Sequence, residues 1–300
     1  MSIPIESIMG GIQLSEQQPY EAGSSLKSEE QILTETGFFW REHNGVRLIV
    51  CHSLEEAGFV NGFSTRMGGV SPFPADALNL AGYDEDTAEN IEENRRRFLR
   101  ALGSKHFLTT VWQIHGDTIK AVDDADSAAH TDERADAVIS GLPELLVGVK
   151  TADCVPVLIG DPVSGAYAAV HAGWRGTSLS IVEKTIRRMS DRYGCRPNDM
   201  IAAIGPAAMC REYEIGQDVM DAFSDIPDRE RYFSPTREGH WLVDLVAANR
   251  DQMTAAKMKR ENIYISPFCT IERTDLFFSY RIEKKRYGKT GRLLSVIGRR

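Results

Sequence analysis

The stretch from Val111 to Thr177 constrains this chain more than any other. It reads W-Q-I-H-G, later T-A-D-C-V-P-V-L, then a Gly-Asp-Pro-Val-Ser-Gly turn and A-A-V-H-A-G-W-R-G-T. Two apolar runs on either side of turn chemistry predict two linked strands. The first carries Asp153 and Cys154, the second delivers His171, and W-Q-I-H-G presents His115 upstream. These separations are too long for one local finger, yet adjacent strands could still bring the three side chains together. Three such donors with one open position describe a working zinc site, whereas structural zinc usually fills all four.

Each donor alone has a plainer reading. A lone histidine on a strand is more often packed or solvated than a ligand, and free cysteine usually packs as a small hydrophobe. Context raises all three. Asp153 adjoins Cys154 in an otherwise apolar run, and a carboxylate buried there needs a partner or a task. Small residues follow both histidines (Gly116; Ala172 and Gly173), which lets backbone or substrate approach closely. Residue chemistry leaves one alternative open, a Cys154–His nucleophilic pair in place of a metal site.

Arginines form the second feature. Arg66 stands in F-S-T-R-M-G-G-V-S, with Ser64, Thr65 and Ser71 beside it. A glycine-rich turn of this kind offers amides and a guanidinium fork to phosphate or carboxylate. Arg175 precedes a helix expected from Thr177 to Tyr193, whose first amides could also face an anion. The zinc-deaminase pattern, the G-x-S-x-G elbow, the P-loop and G-x-G-x-x-G are all absent.

The rest of the chain bounds the context. A net charge of −8 argues against a general nucleic-acid binder, which needs a basic face. No apolar run approaches the roughly 20 residues that span a bilayer. Five scattered cysteines without a C-x-x-C pair fit reduced thiols, and no secretory signal is visible, so a cytoplasmic protein is expected. Residues 1–34 read as a poorly ordered extension and residues 35–300 as a single catalytic domain. Thr87–Leu102 predicts a helix opened by an Asp86–Glu89 capping box and stopped by Gly103. Strands are expected at G-V-R-L-I-V-C-H, F-V-N-G-F-S-T-R, L-T-T-V-W-Q-I-H, T-I-K-A-V, A-D-A-V-I-S, Ile201–Ile204, N-I-Y-I-S-P-F-C-T and D-L-F-F-S-Y-R. Irregular alternation with helices predicts an α+β fold with mixed sheets.

Taken in order, N-G-F-S-T-R-M-G-G-V-S, V-W-Q-I-H-G, A-D-A-V-I-S, T-A-D-C-V-P-V-L, A-A-V-H-A-G-W-R-G-T, I-G-P and C-T…F-F-S-Y-R…T-G-R resemble the YfiH/laccase-domain family, also called the polyphenol oxidase or purine nucleoside phosphorylase family. The likeness runs from about Asn61 to Arg292. It implies a mixed β-sandwich flanked by helices, shared with certain deamidating toxins. It implies that His115, Cys154 and His171 bind zinc, and that substrates are purine nucleosides: phosphorolysis of adenosine, inosine and methylthioadenosine, and deamination of adenosine. Some bacterial members are instead assigned to editing of peptidoglycan precursors. The copper-oxidase label is discounted, because none of the seven histidines forms the H-x-H pair such enzymes are expected to use.

The resulting expectation is a zinc-dependent purine nucleoside phosphorylase with adenosine deaminase activity. Cys154, Asp153 and Arg66 form its catalytic set. Ser64, Arg66 and Arg175 hold substrate, with Arg66 and Ser64 as the phosphate clamp and Asp153 as a carboxylate behind a ligand histidine or a proton acceptor. Its partners are a purine nucleoside and phosphate, with no nucleic acid and no membrane. Two rivals use the same residues: an editing amidase, which needs no phosphate, and a zinc-stabilised interaction module, which needs a fourth ligand such as Cys210. The basic stretch Ile282–Tyr287 looks longer than the family's usual turn and predicts an altered loop.

Overall fold

The architecture follows from strands that are apolar on both faces. A computed structural model describes residues 27–73, 77–81 and 86–300. One six-stranded sheet runs Phe38–His43, Val46–Cys51, Phe59–Ser64, Leu293–Arg299, Leu145–Thr151, Phe107–Thr109. A second runs Ile263–Ile265, Ile201–Ile204, Val155–Gly160, Tyr167–Ala172, Ala137–Ser140, Ile119–Val122. Both mix antiparallel and parallel pairs. A small third sheet joins Glu214–Gly216, His240–Val243 and Phe233–Pro235.

The alternation of side chains decides the layers. Ile49, Phe63, Val147 and Ile297 of the first sheet pack against Val138, Leu158, Tyr167 and Ala169 of the second. The intervening residues point outward and are buried too. Val157, Ile159 and Val170 meet Val182, Ile186 and Met253 of the helices Ile181–Tyr193 and Leu245–Ala255. Leu48, Leu146 and Val296 meet Phe98 and Leu102 of the helix Ala88–Leu102. Each fully buried Val, Leu, Ile, Phe or Met among them contributes about 1.5–3 kcal/mol. The result is an α+β sandwich flanked by helices, in one domain. Among the described residues no helix is long and apolar enough to cross a membrane.

Several local expectations change. Residues 1–26 of the expected tail lie outside the described residues, but Glu29–Glu35 is a helix closed by a Ser28–Gln31 capping box, with Leu33 fully buried. The N-cap of Ala88–Leu102 is Thr87, which accepts from the Asn90 amide, and Asp86 instead accepts from Thr87 and the Asn90 side chain. The helix expected over Thr177–Tyr193 is two, Trp174–Ser178 and Ile181–Tyr193, with Ser180 at φ 61° between them. Gln252 satisfies that break: its amide donates to the Thr177 carbonyl at 2.8 Å and accepts from the Val182 N–H at 3.3 Å.

Three expected strands shorten or vanish. Of L-T-T-V-W-Q-I-H only Leu108 and Thr109 are in a strand, Phe107–Thr109, and N-I-Y-I-S-P-F-C-T keeps only Ile263–Ile265. D-L-F-F-S-Y-R is a turn leading into a helix, Tyr280–Tyr287. That helix also contains the basic stretch read as an altered loop. Its Glu283 is buried against Arg66, which gives the segment a reason to be helical.

Candidate metal and substrate site

The site forms where the chain passes between the sheets. Leu145–Thr151 ends in the first sheet, Ala152–Cys154 cross over, and Val155–Gly160 begins in the second. Asp153 and Cys154 therefore lie in a bend and not in a strand, with Asp153 at φ 86°. Val155–Gly160 pairs with Tyr167–Ala172 so that Pro156 faces His171 across the ladder. That register sets His171 near Cys154. His115 arrives on a loop, also at positive φ (59°), beyond a single bridge between Trp112 and Arg134.

Asp136 holds that loop in place. One of its oxygens accepts from the His115 amide at 2.9 Å and from His171 Nδ1 at 2.8 Å. The other accepts from the Gly116 amide at 2.6 Å. Burial raises the Asp136 pKa, but these hydrogen bonds and the His171 charge outweigh it and hold the carboxyl below its usual range. With Nδ1 so engaged, His171 presents Nε2 to the other two donors.

The donor atoms of His115, Cys154 and His171 lie within 4.8 Å of one another, a group that could hold a metal ion once the side chains draw in slightly around it. Burial pushes the Cys154 thiol up, yet the charge of His171 and hydrogen bonds from both histidines bring it down to about 6. Burial lowers the His171 pKa, and the Cys154 thiolate with Asp136 raises it to about 9. A thiolate ready at neutral pH is what a metal ligand requires. Gly173 completes the fit: a Cβ there would stand 3.1 Å from Cys154 Sγ and 3.3 Å from His115 Cδ2. The three residues thus suit a metal ion, with no fourth donor in the group among the described residues. Cys210 is exposed and stands outside it.

The donors open onto a cavity of about 860 Å³. Arg95, Lys150, Arg175, Arg281 and Arg292 line it, against the carboxylates Asp132 and Asp153, with Trp112, Trp174, Tyr213 and Tyr280 among its walls. Residues 60–300 match the family described as multi-copper polyphenol oxidoreductase laccase. The chain belongs to this YfiH/laccase-domain family. A relative described as purine nucleoside phosphorylase YfiH from Escherichia coli K12 is 34% identical over 256 residues, covering 84% of this chain and 98% of its own. Purine nucleoside phosphorylase YlmD of Geobacillus stearothermophilus is 34% identical, over 83% of this chain and 93% of its own. The crystal structure of the YlmD protein aligns with a TM-score of 0.79 at 31% identity, over 86% of this chain and 97% of that one. Bacillus licheniformis YfiH gives 0.79 at 30%, over 87% and 99%.

Three residues expected at the site of this family member have other work. Arg66 does not line the cavity. It is 8% exposed, pairs with Glu283 at 2.8 Å, donates to the Thr274 carbonyl at 2.7 Å and stacks on Phe278. Ser64 is buried in its strand and accepts from the Leu294 amide. The pair is therefore not positioned as a phosphate clamp. Asp153 lines the cavity but touches neither histidine. Its carboxylate accepts from Thr270 Oγ1 at 2.7 Å, Ser279 Oγ at 3.0 Å and the Arg281 amide at 2.7 Å, tying the C-terminal segment to the bend that carries Cys154. Burial pushes its pKa up. Arg175 does line the cavity, its guanidinium 4.1 Å above the Trp174 ring.

The carboxylate behind the histidine is thus Asp136, and sequence reasoning missed it. The signal existed in A-D-A-V-I-S, where Asp136 interrupts small and apolar residues just as Asp153 does in its own motif. Lys150, Arg281 and Arg292 carried no such signal, since each looks like an ordinary charge at a strand or helix end.

Proposed function

We propose that this chain is a zinc-dependent purine nucleoside phosphorylase, acting on adenosine, inosine and methylthioadenosine, that also deaminates adenosine. The observation that carries the reading is a His–Cys–His donor group set into the wall of a cation-rich cavity. The relatives described as purine nucleoside phosphorylases support it.

His115, Cys154 and His171 would hold the ion, and when bound it supplies Lewis acidity to an oxygen or nitrogen facing the cavity. Asp136 fixes the His171 tautomer and the loop of His115, so both donors are set in advance. Arg175 and Arg281 replace Arg66 and Ser64 as the phosphate clamp. Arg175 sits two residues beyond Gly173, which abuts the donors, and the Arg281 amide is bonded to Asp153 beside Cys154. The half-exposed rings of Trp112 and Tyr280 offer flat faces to a purine. In phosphorolysis a phosphate oxygen bonds to C1′ as the C1′–N9 bond breaks. The purine leaves with the electron pair and takes up a proton. Holding phosphate against C1′ supplies several kcal/mol of the ~7–11 available from orientation. In deamination, water adds at adenine C6 and ammonia leaves.

Inosine and phosphate, incubated with the zinc-loaded protein, should yield hypoxanthine and ribose 1-phosphate. Equal turnover by Cys154→Ala would overturn the metal-site reading. Hydrolysis without any need for phosphate would move the chain to the amidase-type editing class.

A further inference from the structure

We infer that Asp132 recognises the ribose of the substrate, its carboxylate accepting the vicinal 2′- and 3′-hydroxyls, and that the buried Lys120 positions it. The inference deepens the nucleoside reading above and rests on it.

Lys120 stands in the strand Ile119–Val122, yet its side chain is only 1% exposed. Burial destabilises an ammonium unless its protons are bonded. Its Nζ donates to the His130 carbonyl and lies 3.3 Å from the Glu133 carboxylate. His130 is held from a second side, its Nδ1 donating to the Asp126 carbonyl at 2.8 Å. The Glu133 carbonyl accepts from the Trp112 amide at 2.9 Å, and the Ala135 amide donates to the Trp112 carbonyl at 3.2 Å. The chain is thus pinned at His130 and again at Glu133. Between them is a two-residue tip, Thr131 and Asp132, and both residues line the cavity.

The same segment leads to the metal donors. Asp136, four residues beyond Asp132, is the carboxylate that holds His115 and His171. Four residues of chain span at most ~14 Å, a distance that a nucleoside and two side chains can bridge.

The Asp132 carboxylate has no other task. An aspartate at a turn commonly bonds the backbone just after it. Among the described residues Asp132 makes no hydrogen bond and no ion pair. The other carboxylate and the one side-chain amide of the cavity wall are engaged. Asp153 accepts three hydrogen bonds, and Gln113 is held at both ends by the Lys150 backbone.

Ligand chemistry matches this acceptor. Phosphate goes to cations, whereas the sugar of a nucleoside brings hydroxyl donors. A carboxylate can accept from ribose hydroxyls, as acidic residues do in dinucleotide sites. Hydrogen bonds to a charged acceptor are also about twice as strong as neutral ones. Trp112 is bonded to the same segment and lines the same wall, so a base on its ring brings the sugar toward the tip.

Calorimetric titration of the full-length, zinc-loaded protein with inosine, 2′-deoxyinosine and 3′-deoxyinosine tests this. Inosine should bind about tenfold tighter than either deoxynucleoside, the scale of one charged hydrogen bond. In Asp132→Ala the three affinities should converge to within about twofold. Lys120→Met should cut the preference for inosine to less than about threefold, whereas a merely structural lysine would weaken all three ligands alike. Asp132 is exposed, so its alanine variant should fold as the parent does and decides the question if Lys120→Met does not fold. Equal binding of all three ligands by the parent would overturn the inference, as would a preference that survives Asp132→Ala. A preference undiminished in folded Lys120→Met would overturn the positioning role of that residue. Failure of every nucleoside to bind would overturn this inference and the nucleoside reading together. The expected binding pattern without inosine turnover would defeat the phosphorylase reading alone.

Discussion

Asp136 and His171 form a buried carboxylate–imidazole pair, 2.8 Å apart, in which the same carboxylate oxygen also accepts the backbone N–H of His115. Two of the three donors therefore depend on one side chain that would never touch the metal. Its charge raises the basicity of His171, and its geometry fixes a loop that strand pairing does not reach.

Asp136→Asn should weaken zinc binding by about 10–100-fold, the usual effect of removing such a partner. Competition with a chelator of known affinity reads this directly. Unchanged affinity would show that the loop is held by other contacts.

Zinc uptake by the metal-free protein should release protons. Cys154 is a thiolate above about 6 and His171 holds its proton up to about 9. Between those values binding must displace the His171 proton, and below about 6 that of Cys154 as well. Affinity should accordingly rise with pH through this window and level off above about 9. A pH indicator in weak buffer counts the protons released per ion at pH 5.5 and at pH 7.5.

Gly173→Ala should damage the site without damaging the fold. The backbone there is ordinary, at φ −70°, so alanine is locally acceptable. Its methyl group, however, would crowd Cys154 Sγ at 3.1 Å and His115 at 3.3 Å. Overpacking of this kind costs about 1–3 kcal/mol, so thermal stability should fall by only a few degrees, while the shift of the donors should appear as roughly a tenfold or greater loss of bound metal and of turnover. Metal analysis beside calorimetry separates the two effects.

Arg66→Met should act on stability before it acts on phosphate. The substitution strands Glu283 in a site where it is 2% exposed, and breaking a buried pair from one side costs about 3–5 kcal/mol. Denaturant unfolding should show that loss, whereas the KM for phosphate should move little in the folded fraction. A large KM rise with unchanged stability would restore Arg66 to the clamp.

Much of this protein was legible because apolar periodicity is a local property. The hairpin around Gly160–Gly165 has the expected turn, and Gly103 and Gly194 end their helices at φ 72° and 68°. Where local signals compete with distant partners, they fail. The helix after Gly173 breaks at Ser180 because Gln252 supplies hydrogen bonds there, and nothing near residue 180 foretells it.

The sequence by itself singled out His115, Cys154 and His171 as candidate donors, and it carried the turn between two strands and the α+β class. These depend on residue type and near neighbours. Only the tertiary structure decided which polar residues serve that site. Arg66 meets Glu283 at a separation of 217 residues, Asp153 meets Ser279 at 126, and Asp136 meets His171 at 35. A buried charge takes its role from whichever partner packing brings within hydrogen-bond reach, and composition along the chain carries no record of that partner.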